Sequence, residues 1–96
     1  MEYEFKTTFW SDFTIAEAVG VKAIKDNFDR AFNEWKDDVV YLTELVLVTN
    51  WKLWMFNDSG NEAYTDLYYK LYEKANNYAY ENLKGEDKKY FFDVTD

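Results

Sequence analysis

An all-α domain, a small helical bundle of three long helices preceded by a short N-terminal helix, is what the chain predicts from its punctuation and its periodicity. Proline is absent, and the three glycines stand at positions 20, 60 and 85. Between them apolar residues recur at three- and four-residue spacings, the signature of amphipathic helices. Ninety-six residues make one domain over 1–96 with no room for a second, and a chain of this size buries roughly 60–65% of the surface it exposes when unfolded.

The first block opens on Thr14-Ile15-Ala16-Glu17, a capping-box pattern, so a short helix is expected from about Thr14 to Gly20. In the second, Ile24, Phe28, Ala31, Phe32 and Trp35 share one face while Lys22, Lys25, Asp26, Asp29, Arg30 and Lys36 occupy the other. Asp37-Asp38 then caps the third block and supplies favourable negative charge to its N-terminus. That helix is apolar on two sides. Leu42, Leu45, Val46, Leu53 and Phe56 form one stripe, and Val40, Leu47, Trp51 and Trp54 the other, a pattern that belongs to a central helix or to an oligomer interface.

Asn57 to Asn61 reads as a turn, and Ser59 with Glu62 repeats the capping-box spacing ahead of the last long helix. Tyr64, Leu67, Tyr68, Leu71, Ala75, Tyr78 and Ala79 make its core face, and Gly85 its C-terminal stop. The two ends, Glu2 to Phe9 and Lys88 to Val94, carry aromatics in roughly alternating positions. They admit an extended, two-stranded ribbon or a helical and irregular course, and we favour the latter.

Composition closes most chemistry. There is no cysteine and no histidine, so disulfides, thiolate metal sites, imidazole bases and the nucleophile arrangements that depend on them are excluded. No Walker loop, dinucleotide fingerprint or nucleophile elbow occurs, and the turn Asn57-Asp58-Ser59-Gly60-Asn61-Glu62 lacks the alternating acids and distal glutamate of a calcium loop. We expect no catalytic site, no metal and no cofactor. The N-terminus shows no secretory signal. The apolar stretch from Val39 to Phe56 contains Glu44, Asn50 and Lys52, which are costly at mid-bilayer depth, so membrane association is not expected and a cytoplasmic site is.

Nineteen acidic against eleven basic side chains give a net charge of −8, which opposes direct binding to nucleic acid and favours a protein partner with a basic surface. The local acidic groups are Asp26 with Asp29, Asp37 with Asp38, and Glu86 with Asp87, each interrupted by lysines that also suit a merely solvated face. Tyr69, Tyr72 and Tyr80, with Asn76 among them, lie beside the core stripe of the last long helix. Tyrosine combines a large apolar face with a hydroxyl at low entropic cost, which suits an interface. The competing reading is that the segment Tyr90-Phe91-Phe92 covers them. Trp51 and Trp54 invite the same question, with internal packing favoured and a homodimer through the central helix as the alternative.

The runs Thr7-Thr8-Phe9-Trp10-Ser11-Asp12-Phe13-Thr14-Ile15-Ala16, Ala23-Ile24-Lys25-Asp26 and Tyr41-Leu42-Thr43-Glu44-Leu45-Val46, then Asn50-Trp51-Lys52, resemble a family of small acidic proteins of phages and other mobile elements of gut bacteria. The resemblance spans most of the chain and carries over no catalytic or binding residue. It implies a genomic context in which short acidic proteins inhibit host defence, as anti-CRISPR proteins do by occupying the nucleic-acid groove of a Cas nuclease. The expectation is therefore a non-enzymatic, anti-CRISPR-like inhibitor in the cytoplasm of a bacterial host, with Cas9 the first target to test. Tyr69, Tyr72, Tyr80 and Asn76 would anchor it, and Asp26, Asp29, Asp37 and Asp38 would steer the encounter.

Overall fold

The computed structural model describes residues 4–95, which form five helices: α1 (Phe9–Val19), α2 (Val21–Trp35), α3 (Val39–Ser59), α4 (Glu62–Asn82) and α5 (Gly85–Thr95). The all-α class holds, but the arrangement of three long helices and one short one does not. A fifth helix occupies the C-terminal end, and among the described residues there is no strand, so the ribbon pairing is excluded over 4–95. Residues 1–3 and 96 lie outside the described part of the chain, and with them the first two positions of the Glu2 to Phe9 segment.

Three boundaries differ from expectation, two of them for the same physical reason. Thr14 is not a cap: α1 is already a turn and a half old there, and the Thr14 hydroxyl donates back to the Trp10 carbonyl at 2.9 Å. Ser59 likewise closes α3, donating to the Phe56 carbonyl, while Asn61 accepts from the Tyr64 amide and caps α4. Short polar side chains have several local backbone partners, so the Ser/Thr-x-x-Glu spacing alone does not locate a helix start. Gly85 begins α5 instead of ending α4, which stops at Asn82; Glu86 and Asp87 then fall in the first turn, where the helix dipole favours them. Asp38, by contrast, caps α3 as its sequence position indicates, accepting from the Val40 and Tyr41 amides.

Helix α3 is the axis of the domain, and every other helix packs on it. Leu42, Leu45, Val46 and Val48 are buried along it. The paired α4 contributes Tyr68, Leu71, Ala75 and Ala79, α2 contributes Ile24, Phe28 and Phe32, and α1 contributes Phe9 and Phe13. Rings carry much of this core: Phe13 meets Tyr68 edge to face at 5.5 Å, and Phe56 stacks on the other side of Tyr68 at 5.7 Å. The α1–α2 corner is a single residue. Gly20 has φ 146° and ψ −176°, a conformation that side chains strongly disfavour, so the chain reverses there at once.

Two charges of α3 are buried, and both fasten α1. Glu44 accepts from the amides of Lys6 and Thr7 at 2.9 and 2.8 Å and from the Thr7 hydroxyl, holding the segment that leads into α1. Eight residues on, Lys52 Nζ donates to Thr14 Oγ1 at 2.7 Å, pairs with the Glu17 carboxylate at 3.1 Å, and sits 4.0 Å from the centre of the Trp10 ring. Glu17 also accepts from the Tyr68 hydroxyl at 2.6 Å, and its backbone carbonyl accepts from Tyr64. Removing one member of a buried pair strands the other, at a cost of about 3–5 kcal/mol. Lys52→Met is therefore expected to lower the unfolding free energy by that amount in urea titration; a loss under about 1 kcal/mol would show that water already reaches Glu17.

Candidate interaction surface

The half-buried Glu17 with the buried Lys52 and Tyr68 is the most chemically suggestive group in the molecule. Each is already engaged by another: lysine and phenol both donate to the one carboxylate. None of the three lines any of the three surface recesses described below. Among the described residues no group of three or more acidic side chains is placed to hold a metal ion. No helix of the described chain is long and apolar enough to cross a membrane.

Surface recesses lie elsewhere. The first runs between α1 and α2, the second between α3, α4 and α5, and the third at the α3–α4 turn around Asn57, Gly60 and Glu62. The second, of about 130 Å³, contains three of the four residues singled out on α4: Tyr72, Asn76 and Tyr80. Their spacing explains it. Positions 72, 76 and 80 recur every four residues on one side of α4, and Tyr69 continues that line one turn earlier, outside the recess. Opposite them stand Leu47 and Asn50 of α3 and Phe92 and Thr95 of α5. Every residue lining this recess is uncharged, in a chain of net charge −8.

Tyr90-Phe91-Phe92 covers these tyrosines only in part. Phe91 and Phe92 pack against the Tyr80 ring at 5.9 and 5.5 Å, and Lys88 donates to the Tyr80 carbonyl, yet Tyr80 remains 47% exposed. Tyr69 is 50% exposed. A hydrogen bond to the Glu73 carboxylate, with the repulsion of its charge, raises the Tyr69 pKa and keeps the phenol neutral. Tyr72 is partly buried and belongs half to the core.

Of the acidic residues expected to act with the tyrosines, Asp26, Asp29 and Asp37 lie away from the recess. Asp26 pairs with Lys22 at 2.6 Å, Asp29 lies 3.9 Å from Lys74, Asp37 accepts from the Tyr78 hydroxyl at 3.1 Å, and Asp38 is the α3 cap. Lys74 and Asn76 are separated by about 200° around α4, so the flank of α4 that meets Asp29 and Asp37 faces away from the recess. Asp26 lines the α1–α2 recess, and Asp29 and Asp37 meet the far flank of α4, so these three do not join the recess of Tyr72, Asn76 and Tyr80.

Sequence reasoning missed Asn50 and Thr95 as parts of this surface, whereas Phe92 belongs to the segment that the competing reading laid over the tyrosines. Asn50 carried a signal, being a carboxamide inside the most apolar helix. On the far half of α3, Trp51 is tilted against Phe5 at 5.2 Å, while Trp54 is 57% exposed and Met55 is exposed beside it. Internal packing, the favoured expectation for the two tryptophans, therefore does not describe Trp54. No protein-family model, curated protein or solved structure matches this chain.

Tyr68 supplies a test of the packing beneath this surface. Burial, then its hydrogen bond to Glu17, pushes its phenol pKa far above the ordinary value of 10.0. A group whose pKa is raised on folding contributes stability that is complete below its unfolded pKa and declines as pH rises beyond it. Unfolding free energy is accordingly expected to fall with pH above about 10, and Tyr68→Phe to flatten that decline. If all nine tyrosines ionise together in the folded protein, followed by absorbance near 295 nm, the buried hydroxyl is not where we place it.

Proposed function

We propose that this chain is a non-catalytic, stoichiometric inhibitor that presents the α4 tyrosine flank to a protein partner with a basic surface. The observation that carries the reading is the line of Tyr69, Tyr72, Asn76 and Tyr80 beside an uncharged, aromatic-walled recess, with Tyr69 and Tyr80 half exposed. Aromatic anchors in a charge-depleted centre, set within a charged protein, are the usual anatomy of an interface. The mobile-element resemblance makes an anti-CRISPR role in a bacterial cytoplasm the specific form of the proposal, with the nucleic-acid groove of Cas9 as its first target. Asp26, Asp29, Asp37 and Asp38 contribute to long-range attraction, which acts through the summed field and needs no shared face with the anchors.

A panel of purified Cas effectors tests this directly by titration at low and high salt. Binding is expected to weaken with salt, chiefly through the association rate. Tyr69→Ala with Tyr80→Ala should cost about 2 kcal/mol or more, roughly 30-fold in Kd. No binding to any effector, or binding that ignores the double variant, removes the proposal.

A second reading, self-association, is favoured by a separate observation. Between Val39 and Asn57 the only charged side chains of α3 are Glu44 and Lys52, both buried, so the exposed Trp51, Trp54 and Met55 form a neutral patch on which like-charged copies can meet. Sedimentation over a hundredfold concentration range decides it: a dimer abolished by Trp54→Glu supports the patch, and a monomer throughout rejects it.

A further inference from the structure

We infer that the groove between α1 and α2 is a second docking surface, distinct from the tyrosine flank, and that it takes an amphipathic helix carrying basic residues along its edges. The groove is the largest recess described, about 580 Å³, and residues from both ends of the α1–α2 hairpin line it. Its length follows α1, whose eleven residues span about 16 Å, enough for about three turns of a bound helix.

The floor is made for close approach. Ala16, Ala23 and Ala31 line it, with Phe9 and Trp35 at one end. Small side chains between two packed helices let a third helix settle deeply, its ridge lying in the groove. Ile15 and Val19 supply a wall, at 67% and 77% exposure. These two lie one helical turn apart on α1, off the face where Phe9, Phe13 and Ala16 meet the core, and no other helix of the protein covers them. An eleven-residue helix with apolar residues on both its inner and outer sides has one side too many for a monomer.

Charge selects the occupant. Asp12, Asp26 and Glu34 line the groove against a single cation, Arg30. Asp12 accepts from the Thr8 hydroxyl, Asp26 pairs with Lys22 from outside the groove, and Arg30 is held to Asn27, so the two cations offset two of the three acids and the rim keeps a net negative charge. A helix with an apolar ridge and lysine or arginine on its flanks complements both features, in the helix-in-groove manner. A second copy would set the same acidic rim against a chain of net charge −8.

The probe is an 18-residue peptide with leucines at i, i+3, i+4 and i+7 spacing and lysines on the flanks, titrated into the isotopically labelled protein. Amide shifts are expected to concentrate at Ile15, Val19, Ala23 and Ala31. Ile15→Asp with Val19→Asp should weaken binding at least tenfold, because both side chains are exposed and the fold does not need them; an unchanged circular dichroism spectrum checks this. Asp26→Lys with Glu34→Lys should weaken it at low salt, whereas Tyr69→Ala with Tyr80→Ala should leave it alone, which separates this proposal from the tyrosine surface. The inference fails if a peptide of the same composition with scrambled leucine positions binds equally well, or if the Ile15→Asp, Val19→Asp variant binds like the parent. It fails too if the protein forms a dimer that the Ile15→Asp, Val19→Asp variant lacks, since the occupant is then a second copy.

Discussion

The placement of α1 depends on two charges that α3 keeps out of water. Burying a carboxylate or an ammonium is unfavourable unless hydrogen bonds replace its hydration, and here the replacements come almost entirely from one part of the chain. Glu44 is satisfied by the segment just before α1, and Lys52 by Thr14 and Glu17 within it. If α1 lifted away, both groups would lose these hydrogen bonds and would have to draw water into the core. The pairs thus act less as sources of net stability than as a demand that α1 occupy one position. Everything on its outer side, including the groove it makes with α2, inherits that position.

The long amphipathic segments were legible because their periodicity is unambiguous. Ile24, Phe28, Ala31 and Phe32 are buried together, as are Tyr68, Leu71, Ala75 and Ala79, and the doubly apolar α3 is central as its two stripes indicate. What failed was punctuation. Thr14 and Glu17 look like a cap and are instead the two α1 groups that receive Lys52, a use that only tertiary contact reveals. Gly85 looks like a stop and is a start. Three successive aromatics at 90–92 fit a period of two as well as one of 3.6, so the C-terminal helix could not be told from a strand over so short a run.

The candidate surface on α4 was legible by half. Tyr69, Tyr72, Asn76 and Tyr80 share a helix face by spacing alone, and the structure brings Tyr72, Asn76 and Tyr80 into one recess with Tyr69 outside it. Their neighbours from α3 and α5 depended on how those helices cross, which spacing within one helix does not specify. The acidic residues were grouped with the tyrosines on chemistry, and chemistry is blind to direction: Asp29 and Asp37 meet the flank of α4 that points away. Solvent exposure could not be assigned either. Trp54 is outward, and the recess shared by α3 and α5 runs along α3 only from Val46 to Asn50.

Connections in this domain are one to three residues long: Gly20, then Lys36 to Asp38, then Gly60 with Asn61, then Leu83 with Lys84. Where other proteins vary recognition by lengthening or exchanging loops, this one has almost no loop to vary. Any change of surface has to be written side chain by side chain on rigid helical flanks, where a single ring or methyl reshapes the local relief. A grafted sequence, conversely, has few entry points that would not pull a helix out of register.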